Sequence, residues 1–158
     1  MRRVFSSRST SSTAALVLIV AALAMQSSMV SSSFDVYVFN DLGDVEKRLN
    51  VQCRLYDSDF DTGVHDLGYI EYLNWTINDY SPLGDTLYYC DFTFSNGHKA
   101  QYPVFNAGRD SKRCLRDQNK TGPDYKCFWA ARQDGLYFWG SDNYEAYFVL
   151  QYTWPWLN

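Results

Sequence analysis

Short runs in which every second residue is apolar decide what this chain can fold into. Leu73-Asn74-Trp75-Thr76-Ile77 is the plainest of them. An extended backbone sends successive side chains to opposite faces, so such a run buries one face and leaves the other in water. The same two-residue period, or a short apolar run bounded by turn residues, recurs at Val36 to Phe39, Leu49-Val51-Cys53-Leu55, Cys90-Phe92-Phe94 and Ala100-Tyr102-Val104, then at Cys127-Trp129-Ala131, Leu136 to Phe138 and Ala146-Phe148-Leu150-Tyr152. No window of about 12 residues keeps an apolar stripe at helical spacing, so helix is a minor component. Asp134-Gly135 reads as a two-residue hairpin turn with positive φ angles, and Ser95-Asn96-Gly97-His98 as a second hairpin. Pro103 marks an edge strand, because proline cannot donate to a ladder on both sides. The expectation is an all-β fold, a small disulfide-bonded antiparallel β-sandwich of about seven to eight strands.

The N-terminus sets the compartment. Arg2, Arg3 and Arg8 precede an apolar run from Ala14 to Ala24, small and polar residues follow, and no acid appears before Asp35. This is the layout of a secretory signal peptide, and the run is far shorter than the roughly 20 residues a bilayer-spanning helix needs. We place the leader at residues 1–33, with cleavage between 24 and 33, and one domain at 34–158. The expected product is secreted and extracellular, without membrane insertion after cleavage. The chain has 14 basic and 18 acidic residues, and three of the arginines leave with the leader. The resulting acidic domain is a poor match for nucleic acid or an anionic membrane.

All four cysteines, Cys53, Cys90, Cys114 and Cys127, follow the leader. An even count in an exported chain argues for two disulfides, and the absence of a Cys-x-x-Cys pair argues against zinc. Three pairings are open. Strand-to-strand geometry favours Cys53 with Cys127 and Cys90 with Cys114, since Cys53 and Cys127 lie on the strongest apolar strands and suit a buried bridge between sheets. Two sequons, Asn74-Trp75-Thr76 and Asn119-Lys120-Thr121, are candidate N-glycan acceptors. If Leu73, Trp75 and Ile77 face the core, Asn74 faces solvent.

Catalytic constellations are thin. There are two histidines, His65 and His98, and no nucleophile elbow, zinc-protease motif or phosphate loop. Acids beside aromatics, such as Asp142 and Tyr144-Glu145, suit solvated loops better than a glycosidase pair. Trp139, Tyr144, Tyr147, Trp154 and Trp156 are candidates for a sugar-stacking platform, although aromatics in a small sandwich more often fill the core.

The stretch "LYDSDFDTGVHDLG" places Asp57, Asp59 and Asp61 on alternate positions ahead of Gly63 and His65. A calcium EF-hand loop counted from Asp57 needs glycine at its sixth position and glutamate at its twelfth; Thr62 and Gly68 stand there instead. The run therefore reads as an exposed turn leaving the Val51 to Leu55 strand, with Asp side chains accepting from neighbouring amides and Gly63 at positive φ. No metal or cofactor is expected.

In order, "VYVFNDL", "LNVQC", "DSDFDTGVHDL", "LNWTI", "GDTLYYCDF" and "CFWAARQDGLYF" resemble the plant self-incompatibility S-protein homologue family across the whole mature chain. The matching positions are Leu49, Val51, Cys53, Asp61, Gly63, His65, Trp75, Thr86, Cys90, Cys127, Trp129, Asp134, Gly135 and Tyr137. Two departures stand out: Gln52 replaces a usual histidine, and Thr62 replaces the leucine of an Asp-Leu-Gly loop. The segment between Cys114 and Cys127 is also longer than usual. The resemblance implies a small secreted sandwich, monomeric and non-enzymatic, that signals to a cell-surface membrane protein. The best-known members are pistil determinants of pollen rejection that start a calcium influx in pollen. Candidate recognition surface then lies in loops 57–68, 78–86 and 106–124, with Asp57, Asp59, Asp61, Thr62, Gly63 and His65 as the candidate recognition loop. The alternative is an extracellular carbohydrate-binding β-sandwich module that takes a glycan on exposed Trp139 or Trp154.

Overall fold

A computed structural model describes residues 32–78, 86–118, 124–142 and 145–157. The expected leader up to residue 31, Asn119 of the second sequon, Tyr144 and most of the 78–86 loop lie outside the described residues. The rest forms two sheets. One has the order β10-β9-β8-β1-β4, with β7 pairing the flank of β8, and the other has the order β3-β2-β5-β6. The strands are β1 (Ser33–Asn40), β2 (Leu49–Leu55), β3 (His65–Leu67), β4 (Tyr72–Ile77), β5 (Leu87–Phe94), β6 (Lys99–Asn106), β7 (Leu115–Arg116), β8 (Asp124–Ala131), β9 (Gly135–Asp142) and β10 (Glu145–Thr153). A single helical turn, α1 (Ala107–Asp110), follows β6.

Alternation builds the core. Phe34, Val36 and Val38 of β1 are buried, as are Leu73, Trp75 and Ile77 of β4. From the other sheet, Val51 and Cys53 of β2 and Cys90 and Phe92 of β5 meet them. Rings interlock between the sheets: Phe34 lies 5.2 Å from Phe105, and Trp75 lies 5.8 Å from Tyr88. Each buried ring of this size contributes about 2–3 kcal/mol of transfer free energy.

The fold class is the expected one, with finer differences. The ten strands include two that periodicity could not reveal, β3 and β7, which are three and two residues long. One central pair is parallel, β1 with β8, from Ser33↔Asp124 to Asn40↔Ala131. Pro103 does lie on an edge strand, β6. Gly97 takes positive φ (+85°) in the β5–β6 hairpin. The β8–β9 hairpin is present, but neither Asp134 nor Gly135 has positive φ; four residues, 132–135, separate the paired Ala131 and Leu136. Glycine is needed at 135 for a different reason, because a Cβ there would come within 2.2 Å of the Tyr152 carbonyl oxygen on β10.

The disulfide pairing differs from the expectation. The bridges are Cys53–Cys90 and Cys114–Cys127. Cys53 and Cys127 belong to different sheets, whereas Cys53 and Cys90 are direct cross-strand partners on β2 and β5. Cys114 immediately precedes β7, whose pairing with β8 through Leu115↔Lys126 brings it beside Cys127. The expected bridge between sheets rests on apolar patterning, which says nothing of which strands are neighbours.

The chain crosses between sheets through α1, and a buried carboxylate fixes that crossing. Asn106 caps the turn by accepting from the Arg109 amide at 3.0 Å. Asp110 is fully buried. Both of its oxygens accept from Arg109, each at 2.7 Å, and one also accepts from the Asn106 amide at 2.8 Å. Arg109 in turn donates to the Tyr152 hydroxyl at 2.8 Å and stands over the Trp129 ring. Burial lowers the Arg109 pKa, but Asp110 and Tyr152 together raise it above its ordinary value, so the guanidinium keeps its charge. Asp110→Ala is expected to cost about 3–5 kcal/mol in urea unfolding, because it strands a partly buried cation. Asp91→Ala, which removes a half-exposed partner of Arg54, should cost about 1 kcal/mol or less. Equal losses would contradict this reading.

Candidate functional site

The acidic run proves to be the reversal between β2 and β3. Asp57 turns the chain with a positive φ of 55°. The Leu55 amide donates to the Phe60 carbonyl at 3.3 Å, and Phe60 packs edge-on against Tyr88. The chain then returns along β2: Asp61 bridges Arg54, and β3 pairs Val51 with His65 and Leu49 with Leu67. Gly63 takes the expected positive φ (+71°), and a Cβ there would meet nothing, so backbone conformation alone demands glycine.

Two side chains, Thr62 and Gln52, fasten this return. Thr62 donates its amide to the Cys53 carbonyl at 3.0 Å, and its hydroxyl oxygen accepts from the Cys53 amide at 2.9 Å. Gln52 Nε2 donates to both Asp61 oxygens, at 2.7 and 2.9 Å. The Gly63 amide adds a bond to Asp61 at 2.7 Å and Arg54 Nε one at 3.2 Å. These donors, Gln52 first, hold the Asp61 carboxyl below the usual carboxylate range. His65 donates from Nε2 to the Thr62 carbonyl at 2.8 Å. A side-chain hydroxyl thus anchors the turn to the β2 backbone.

Asp61, Thr62, Gly63 and His65 thus fasten the turn, and Asp61, Gly63 and His65 are at the same time exposed on it. Asp57 and Asp59 are exposed at the tip, flanked by Tyr56 at 58% and Val64 at 66% exposure. Acid and apolar surface on a fixed backbone suit contact with another protein. Among the described residues no three His, Cys, Asp or Glu side chains converge as metal ligands would.

The other expected sites divide. Asn74 is exposed on β4, between the buried Leu73 and Trp75. Residues 106–118 do not form a free loop: Ala107, Asp110 and Cys114 are buried, and Lys112, Arg116 and Gln118 remain on the surface. These side chains border an open cleft of about 690 Å³ that Phe138 and Gly140 also line. Arg113, over the Phe138 ring at 4.2 Å, donates to Gln151 at 2.9 Å, and burial lowers its pKa. Among the described residues, the candidate aromatic platform does not assemble. Trp154 is fully buried against Phe92 and Phe94 and donates its indole N–H to the Arg132 carbonyl. Trp156 stacks on His98, while Trp139 meets Phe148 edge-on. Trp154 therefore cannot be the exposed sugar-stacking residue of a carbohydrate module.

Two bonded sheets, two disulfides and a fixed acidic turn define a small β-sandwich of the kind that displays loops from a rigid frame. Residues 35–154 match the model of the plant self-incompatibility protein S1 family, and the chain belongs to that family. Among its relatives, S-protein homolog 24 of Arabidopsis thaliana is 29% identical over 106 residues, 67% of this chain and 61% of that protein. S-protein homolog 6 of Arabidopsis thaliana is 30% identical over 111 residues, 66% of this chain and 65% of that protein. The matched stretches thus span under two thirds of the length of these relatives. No solved structure matches.

A carboxylate with a lowered folded pKa stabilises the fold above its unfolded value, about 3.9, and that contribution is lost as pH falls through the lowered value. Gln52→Ala removes the strongest donor, so the Asp61 carboxyl should titrate at higher pH in a carbon-detected NMR titration; an unmoved titration would refute the assignment. Thr62→Val leaves the buried Cys53 amide without the hydroxyl and should cost about 1–3 kcal/mol in denaturant unfolding, with Thr62→Ser close to the parent.

Proposed function

We propose that this chain is a secreted, non-enzymatic signalling ligand that a cell-surface membrane protein recognises through the acidic turn of residues 56–64. The observation that carries the proposal is the tethered turn: contacts through Asp61 and Thr62 fasten it to β2, and Asp57, Asp59, Tyr56 and Val64 stand exposed beyond them. A rigid presentation lowers the ordering cost of binding. Membership in the plant self-incompatibility family supports the signalling role, and pollen rejection is one form that role takes in the family. No helix among the described residues is long and apolar enough to cross a membrane.

The test uses disulfide-intact, fluorescently labelled protein on plant membranes. Saturable binding competed by unlabelled protein is expected, with at least a tenfold loss for Asp57→Lys/Asp59→Lys and an unchanged unfolding midpoint. Neither side chain makes a bond on which the fold relies, so equal binding by parent and variant would sink the proposal.

A further inference from the structure

The face of the six-stranded sheet that points away from the core carries an aromatic patch whose position on the register is informative. Tyr37 of β1, Phe128 of β8 and Asn74 of β4 form one row across three adjacent strands, through the pairs Tyr37↔Asn74 and Tyr37↔Phe128. The next row is Tyr72, Phe39 and Ala130, through Phe39↔Tyr72 and Phe39↔Ala130. Directly paired residues point to the same face of a sheet. The rings touch: Tyr37 stacks on Phe128 at 4.9 Å and tilts against Tyr72 at 5.6 Å, and Phe39 lies 5.1 Å from Tyr72. Tyr72 is 51% exposed, and Tyr37, Phe39 and Phe128 are half-buried. The other half of the face is polar, with Thr76 donating to Asp35 at 2.6 Å.

Contiguous aromatic surface is costly to leave in water and usually has an occupant. Here one candidate is attached to the chain. Asn74-Trp75-Thr76 is an N-glycan acceptor sequence. We infer that Asn74 carries an N-glycan whose first N-acetylglucosamine residues lie across Tyr37 and Phe128, using the patch as an intramolecular bed. Neighbouring strands are about 4.8 Å apart, so the row from Asn74 to Phe128 runs about 10 Å, along which an inner disaccharide can lie. Pyranose C–H faces pack on aromatic rings, while the sugar hydroxyls stay in water. The polar half of the face and the solvent beyond the β4 edge leave the outer antennae unobstructed. β4 ends its sheet; a glycan beside it also hinders edge-to-edge pairing with another chain.

The inference rests on the secretory route of the proposed function but not on partner recognition. Its test is expression of the full-length chain in plant cells, glycopeptide mapping, and thermal unfolding of the parent, Asn74→Gln, Phe128→Ala and the double variant. Asn74 is expected to be occupied. Losing the glycan should lower Tm by about 3 °C in the parent and by about 1 °C or less beside Phe128→Ala. Phe128→Leu, which keeps an apolar side chain without the ring face, serves if alanine prevents folding. The N-acetyl resonances should move upfield under the ring current of Tyr37, and Tyr37→Leu should return them. A secreted protein with bare Asn74 overturns this inference alone, as do equal Tm losses in both backgrounds with unshifted sugar resonances. A chain retained in the cytosol would remove the secreted-ligand reading as well.

Discussion

The parallel pairing of β1 with β8 is the constraint on which the rest of the sandwich depends. β1 lies between β4 and β8, and without it the larger sheet would separate into a lone edge strand and the β8-β9-β10 meander. It also places Phe34, Val36 and Val38 opposite the inner face of the second sheet. The partners are 91 positions apart, since Ser33 meets Asp124, and closing so long a loop precedes the reward of the contacts it allows. Cys114–Cys127 helps by holding the β8 partner strand against the segment that arrives from α1. The Asp110–Arg109 pair fixes the other end of that arrival.

What was legible in the sequence was whatever depends on near neighbours. Alternation at Leu73 to Ile77 gave the buried and exposed faces of β4 residue by residue, and the Asp61-to-Gly63 turn followed from Asx chemistry with glycine at positive φ. What depends on distant neighbours was not legible. Apolar strength put Cys53 and Cys127 on good strands, but only the sheet order and register reveal that Cys90 and Cys114 stand beside them. Trp154 reads the same in sequence whether it stacks on a sugar or, as here, fills the core. β3 was hidden because His65-Asp66-Leu67 is too short and too polar to show a period.

Gln52 and Thr62 are partners in one structural event. Gln52 and Thr62 are ten positions apart, and each grips the same turn: Gln52 through the Asp61 carboxylate, Thr62 through both backbone groups of Cys53. Because Cys53 is itself bonded to Cys90, the turn is coupled to the covalent frame through one residue. A loop held in this way keeps one shape in the free protein, which lowers the ordering cost of any contact it makes.

The acidic turn is a built part of the sandwich, tied to Cys53 on β2. Amide hydrogen exchange measures this directly. The Thr62 and Cys53 amides should exchange on the timescale of the β2 ladder, while those of Asp57 and Ser58 at the tip exchange freely. Thr62 exchanging as fast as the tip would contradict the account, for the turn would then be a tether-free loop and its acids no fixed surface.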